Sequence, residues 1–274
     1  MADLLLHPQS EILLGRYMDE PSHAVLLTGE IGVGLMTAAM HAASKITDPA
    51  HVTVVLPDEG KTAISIASVR ELYAMTKTKQ AKAHVIILDN AELMDHSAQN
   101  ALLKLLEEPT PEVFFILTSH SPQLLLATIR SRAQQIDIRP VPSKLSLAYA
   151  RSLGVDDEKR LGQIMFIADG RPAEMNRLAH DEEYFARQSA KAIDARSFLG
   201  GAAYDRLILA GKYSSRDEAL EFLGMLARFA IHTLHRQPDT YSARKLQAVD
   251  KAISRIAGNG NVRTQLTWLV TEWS

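Results

Sequence analysis

The sequence predicts an α/β domain built on a parallel sheet, followed by helices only. Three observations predict it. Short apolar runs alternate with amphipathic stretches between residues 24 and 138. The runs are continuously apolar, as strands covered on both faces are. From Ser143 onward the chain shows no convincing strand.

Ala24 to Thr28, A-V-L-L-T, is the first strand, and it runs into a glycine-rich turn that opens a helix at Gly34 to Ile46. Val52 to Leu56 is the second strand, followed by a helical pattern over Ser68 to Thr76. His84 to Asp89 is an apolar strand that ends in a carboxylate. Ser97 to Leu106, S-A-Q-N-A-L-L-K-L-L, carries its apolar residues at helical spacing. Val113 to Ser119 and Gln135 to Ile138 complete the strands. After Arg139 comes P-V-P-S, whose two prolines cannot continue a hydrogen-bond ladder and make a joint. Beyond it the helices break at Gly154, at Gly170-Arg171-Pro172, at Gly200-Gly201 and at Gln237-Pro238-Asp239. The expected layout is an α/β domain at residues 1–140, a small helical unit at 141–181 and a larger one at 182–274, with amphipathic helices such as Ala219 to His235.

The chain has 274 residues, 46% hydrophobic and 23% charged, an ordinary globular composition that excludes disordered and collagenous classes. The longest apolar runs are five residues, Val113 to Leu117 and Ile164 to Ala168, against the roughly 18 that a membrane span needs. The start, M-A-D-L-L-L-H, has no basic segment before its leucines, so a secretory signal is not expected and a cytoplasmic location is. Zero cysteines exclude disulfides, thiol catalysis and cysteine-based zinc or iron–sulfur sites. Net charge is −2, divided as −5 over residues 1–140 and +3 over 182–274, with no concentrated basic face of the kind a dedicated nucleic-acid binder shows.

The turn after the first strand reads Gly29-Glu30-Ile31-Gly32-Val33-Gly34-Leu35-Met36-Thr37. In a phosphate-binding loop, G-x-x-x-x-G-K-[ST], backbone N–H groups cradle phosphates, the lysine reaches the β and γ phosphates and the hydroxyl holds Mg²⁺. Gly29 and Gly34 fit this pattern, but Leu35 stands at the lysine and Met36 at the hydroxyl, with Thr37 one position late. One residue along a helix turns a side chain by about 100°. Asp89 occupies the strand-end position that helps place Mg²⁺ in P-loop ATPases. The next residue is Asn90, an amide that cannot serve as a general base. Defects at 35, 36 and 90 together argue against hydrolysis in this chain, so no cofactor is expected.

Asn100-Ala101-Leu102-Leu103-Lys104-Leu105-Leu106-Glu107-Glu108-Pro109, Val113 to Ser119, Leu126-Ala127-Thr128-Ile129-Arg130-Ser131-Arg132 and the first strand with its approach, Ser22 to Gly29, closely resemble the clamp-loader branch of the AAA+ ATPases. The resemblance covers residues 20–140; beyond 140 it is architectural. It implies a P-loop-type sheet, a helical lid and a helical collar. With its altered phosphate loop the chain is similar to the members that do not hydrolyse ATP. The branch's S-R-C motif supplies an arginine finger to the ATP site of an adjacent motor, which nominates Arg132, with Ala133 in place of the cysteine. A planar cation with five donors suits the charge on a transferring phosphoryl group.

Thr118 and Ser119 lie at the branch's sensor position, and Arg171 lies near the lid position of a second sensing arginine, although on its residues alone Arg171 reads as a helix start or a surface residue. The resemblance also implies partners: motor subunits, a clamp-opening subunit, the sliding clamp, and primed DNA through the assembled complex. The branch's four-cysteine zinc module has no counterpart in a chain without cysteine. Two rival functions remain open. One is an active AAA+ motor in which Thr37 and Asp89 hold Mg²⁺; the other is a stand-alone DNA adaptor. His232 and His235 share a helix face without ligand partners and suggest a partly buried face rather than a metal site. Lys77, Lys79 and Lys82 with His84 form a basic run that reads as a solvated loop.

Overall fold

The computed structural model describes residues 4–57, 63–76, 82–236 and 238–273. The chain divides into two compact units, 1–179 and 180–274. The first begins with α1 (Pro8–Asp19), β1 (Ala24–Thr28), α2 (Leu35–Ile46) and β2 (Val52–Val55). It continues with α3 (Ile66–Thr76), β3 (His84–Leu88), α4 (His96–Glu107), β4 (Val113–Ser119), α5 (Ala127–Arg130) and β5 (Gln134–Asp137). Helices α6 (Ser143–Ser152), α7 (Glu158–Ala168) and α8 (Pro172–His180) follow. Every strand expected from the sequence is present within a residue or so at its ends.

All five strands are parallel, in the order β2-β3-β4-β1-β5. Successive residues of a strand face opposite sides, and the burial follows that alternation. Ala24, Leu26, Ile86, Leu88, Phe115 and Leu117 pack on one face beneath α3 and α4. Val25, Leu27, Val85, Ile87, Ile116 and Ile136 pack on the other beneath α1 and α2. Both faces are therefore dry, which is why the strands read as unbroken apolar runs. Because β4 lies between β1 and β3, the residues at and just beyond the carboxyl ends of these strands, Gly29, Thr118 and Asp89, come side by side.

Helix α1 is an element the sequence reading did not assign. Pro8 fixes its first turn, and the His7 ring accepts a hydrogen bond from the Gln9 N–H at 3.1 Å. Ser10, Leu14 and Tyr17 form its buried stripe. Ser10 Oγ donates to the Asp137 carbonyl at 2.7 Å and accepts from the Arg139 N–H at 3.1 Å, pinning the helix to the end of β5.

Gln99, buried on α4, joins three segments. Its amide nitrogen donates to the carbonyls of Met94 and Leu124 at 3.1 and 3.2 Å, and its oxygen accepts from the Leu126 N–H at 2.8 Å. Leucine has nearly the same volume but leaves these backbone groups without a partner. Gln99→Leu is expected to destabilise the first unit by about 2–4 kcal/mol, a loss that urea denaturation followed by far-UV circular dichroism measures.

The second unit is helical: α9 (Glu182–Gly200), α10 (Ala203–Lys212), α11 (Arg216–Arg236), α12 (Thr240–Ala257) and α13 (Val262–Trp273). Asp181 and Asp239 cap α9 and α12 through their carboxylates. Its core centres on Phe198, which meets Phe222 and Trp273 edge-on with centroids 5.8 and 5.4 Å apart. Tyr213 stacks on Phe222 at 4.4 Å. Among the described residues no helix is long and apolar enough to cross a membrane.

Candidate functional site

The turn after β1 enters α2 through two glycines in the left-handed region, Gly32 at φ +93° and Gly34 at φ +95°. Gly34 is the residue that precedes the first turn of α2. At Gly32 a Cβ would also lie 2.9 Å from Cβ of Glu174, so both backbone and space demand glycine. Leu35 is buried beneath the sheet, Met36 packs against the same cluster, and Thr37 is exposed on the first turn of α2.

Three carbonyls of this turn accept hydrogen bonds from other parts of the unit. The Gly29 carbonyl lies 2.8 Å from His120 Nδ1, and since a carbonyl only accepts, Nδ1 carries the proton. The Ile31 carbonyl accepts from Arg171 Nη1 at 2.8 Å, and the Gly32 carbonyl from the Glu174 N–H at 3.0 Å. Arg171 is thus buried, directly before the first residue of α8, and not a surface residue. Its Nε and Nη2 donate to the Ala168 and Ile167 carbonyls at 2.7 and 2.8 Å. Those are the last two carbonyls of α7, at the negative end of the helix dipole, and the Ala168 carbonyl also accepts from the Arg171 N–H at 3.0 Å.

At the neighbouring strand ends, Asp89 is held on both oxygens. Thr118 Oγ1 donates to Oδ1 at 2.6 Å, and Asn90 Nδ2 donates to Oδ2 at 2.9 Å. Thr118, fully buried, accepts in turn from the Asn90 N–H at 2.9 Å. Asn90 itself sits at φ +53°, a left-handed conformation that its short polar side chain tolerates. Gly29, Gly32, Gly34, Asp89 and Thr118 are therefore gathered at one end of the sheet, with Thr37 facing outward from α2.

Arg132 belongs to a different place, the turn between α5 and β5. Its Nη2 lies 2.8 Å from Glu107 Oε1 and its Nη1 donates to the Thr128 carbonyl at 3.2 Å. Its side chain is 36% exposed, so the guanidinium is restrained yet open to solvent. The sequence reading missed four partners: His120, Glu174, Gln99 and Glu107. A signal existed for two. His120 directly follows the sensor pair, and Glu107 puts a negative charge at a helix C-terminus, where local preference opposes it.

The smaller clusters have settled positions. His232 and His235 are both exposed, which corrects the expectation of a partly buried face, because the apolar stripe of α11 turns other residues inward. Among the described residues no group of three His, Cys, Asp or Glu side chains is arranged to hold a metal ion. Lys77 and Lys79 lie outside the described residues, and Lys82 stands 3.7 Å from Asp48 on the surface. His84, whose Nε2 is 2.9 Å from Thr53 Oγ1, has its basicity lowered by burial and by His51 nearby.

A family model described as DNA polymerase III, delta subunit, matches residues 40–142. The delta-prime subunit of DNA polymerase III from Pseudomonas aeruginosa is 31% identical over 184 residues, covering 57% of this chain and 56% of its own length. That of Escherichia coli is 28% identical over 207 residues, covering 74% of this chain and 59% of its own length. The chain therefore matches between about half and three fifths of the length of these relatives. Among solved structures, a DNA polymerase III gamma-subunit-related protein of Thermotoga maritima shares the fold with a TM-score of 0.57 at 17% identity, over 97% of this chain and 98% of that one.

Proposed function

We propose that this relative of the delta-prime subunits of bacterial DNA polymerase III, with its AAA+ sheet domain, is a non-hydrolysing clamp-loader subunit that works in the cytoplasm. In this role it joins gamma/tau motor subunits and the clamp-opening delta subunit, helps place the sliding clamp on primed DNA, and lends Arg132 to the ATP site of the adjoining motor. Residues 141–181 act as its lid and residues 182–274 as its share of the collar.

The observation that carries this reading is a contrast between two places in one unit: the phosphate-type turn has apolar, core-packed Leu35 and Met36 where a nucleotide needs a cation and a hydroxyl, while Arg132 is held partly open to solvent. A magnesium nucleotide is what the fold implies at such a turn, and the donor set does not fit one. Leu35 and Met36 supply neither cation nor hydroxyl. Both side chains are instead part of the core, Leu35 buried and Met36 packed against the same cluster. The residue after Asp89 is Asn90, an amide that cannot activate water. Hydrolysis is assigned to the neighbour, and this chain contributes a cation positioned in trans.

The test is DNA-stimulated ATP turnover and clamp loading, measured for the purified chain alone and for its mixture with the same organism's motor, clamp-opening and clamp proteins. The chain alone is expected to be silent, and the mixture to load the clamp only when the chain is present. Turnover by the chain alone that disappears in Asp89→Ala would make it a motor and overturn the proposal.

A further inference from the structure

We infer that Glu107 is a positioning residue for Arg132, holding the guanidinium in the geometry in which it is delivered; the inference rests on the finger role proposed above. Glu107 is the last residue of α4 and another carboxylate, Glu108, follows it. Negative charge is unfavourable at that end of a helix, so helix preference does not account for it. Fold stability does not account for it either. The two side chains are 36% and 43% exposed, and ion pairs this open to solvent add little to stability. What remains is the control that Glu107 exerts over the direction of Arg132.

That control is well supported from below. Ile129 is fully buried and Ala133 nearly so, one on each side of the finger, and the Arg132 N–H is bonded to the Ile129 carbonyl at 3.0 Å. The backbone under Arg132 is therefore fixed by the core, and the freedom that remains is in its long side chain. Glu107 Oε1 and the Thr128 carbonyl restrain the far end of that side chain from two directions. A guanidinium has five N–H donors. These contacts occupy one hydrogen on Nη2 and one on Nη1, leaving Nε–H and one hydrogen on each Nη for a phosphoryl group. The finger can reach its target without releasing Glu107, so the rotamer entropy of arginine is lost on folding rather than at the moment of reaction.

The experiment uses the reconstituted clamp loader with Glu107→Ala, Glu107→Gln, Arg132→Ala and the double variant Glu107→Ala with Arg132→Ala. Glu107→Ala is expected to lower kcat for ATP hydrolysis by about tenfold, with KM and assembly unchanged, because a finger that wanders loses its near-attack geometry. Glu107→Gln, which keeps an acceptor without the charge, recovers part of the loss. In the Arg132→Ala background the Glu107 substitution becomes silent. An unchanged or raised kcat in Glu107→Ala, while Arg132→Ala is impaired, overturns the positioning role alone. A loss of equal size in both backgrounds does the same, since Glu107 would then act through something else. Full activity in Arg132→Ala overturns the finger itself and the positioning role with it.

Discussion

Arg132→Ala is expected to leave the chain folded and able to assemble, while ATP turnover at the adjoining motor site falls by about 10³. The two halves of this expectation have separate physical grounds. Arg132 is about one third exposed and its ion pair with Glu107 lies at the surface, so its removal costs the fold at most about 1 kcal/mol. In the assembled complex its proposed position is a site shielded from water, where one planar cation aimed at a transferring phosphoryl group carries a large share of the barrier lowering. Arg132→Lys is expected to recover only part of the rate. Its ammonium is a compact, strongly hydrated charge that cannot keep both restraints and still offer a planar edge. Single-turnover ATP hydrolysis by the reconstituted complex reads the adjoining site directly, and a burst of normal rate and amplitude in Arg132→Ala would remove the finger assignment.

The second large effect is expected inside the fold. Arg171→Met should destabilise the first unit by about 3–4 kcal/mol. Arg171 is 6% exposed and bonds three carbonyls through three different nitrogens, those of Ile31, Ile167 and Ala168. Methionine fills much of the volume but its side chain donates nothing, so three carbonyls lose the guanidinium together, although Ala168 keeps the backbone N–H of residue 171. Two of them terminate α7, where the arginine charge also complements the helix dipole. The third belongs to the glycine turn, so hydrogen exchange should quicken across residues 29–34 as well as at the end of α7. Arg171→Lys should restore less than half of the loss, since one ammonium cannot span the three acceptors. Urea denaturation of the two variants, with exchange mapped by mass spectrometry, measures both effects; wild-type stability in Arg171→Met would mean that water replaces the guanidinium without cost.

The parts of this fold that were legible in the sequence are those governed by local pattern. The strands stand out because both faces of the sheet are dry, so Val85 to Leu88 or Phe115 to Leu117 contain no polar residue to blur them. Gly29, Gly32, Gly34, Asp89 and Thr118 are grouped in the sequence by the phosphate-loop pattern and the family resemblance, and the strand order explains why they are neighbours. Helix α1 escaped notice for two local reasons. Its cap is His7 rather than a serine, threonine or acidic residue, and Ile12 and Leu13 are exposed beside buried Leu14, which smears the apolar stripe. The long-range hydrogen bonds to the carbonyls of the glycine turn were beyond pattern altogether. Arg171 meets a carbonyl 140 residues away and His120 one 91 residues away. Nothing in a short window reports such contacts. The pairing of Arg132 with Glu107 belongs to the same class, because both residues were in view as parts of motifs and only the fold brings their charges together.

The aromatic core of the second unit has a spectroscopic consequence. The chain has two tryptophans, Trp268 and Trp273, and both lie on α13. Trp273 is buried edge-on against Phe198, and Trp268 lies beneath the Arg255 guanidinium at 4.3 Å. Intrinsic tryptophan emission therefore reports on residues 180–274 alone, while residues 1–179 contain no tryptophan and are dark at that wavelength. A denaturation curve read by emission follows the second unit alone, whereas one read by far-UV circular dichroism follows the helices of both units. If the two units unfold independently, the curves separate without any label, and the substitutions at Gln99 and Arg171 move the ellipticity curve and leave the emission curve in place.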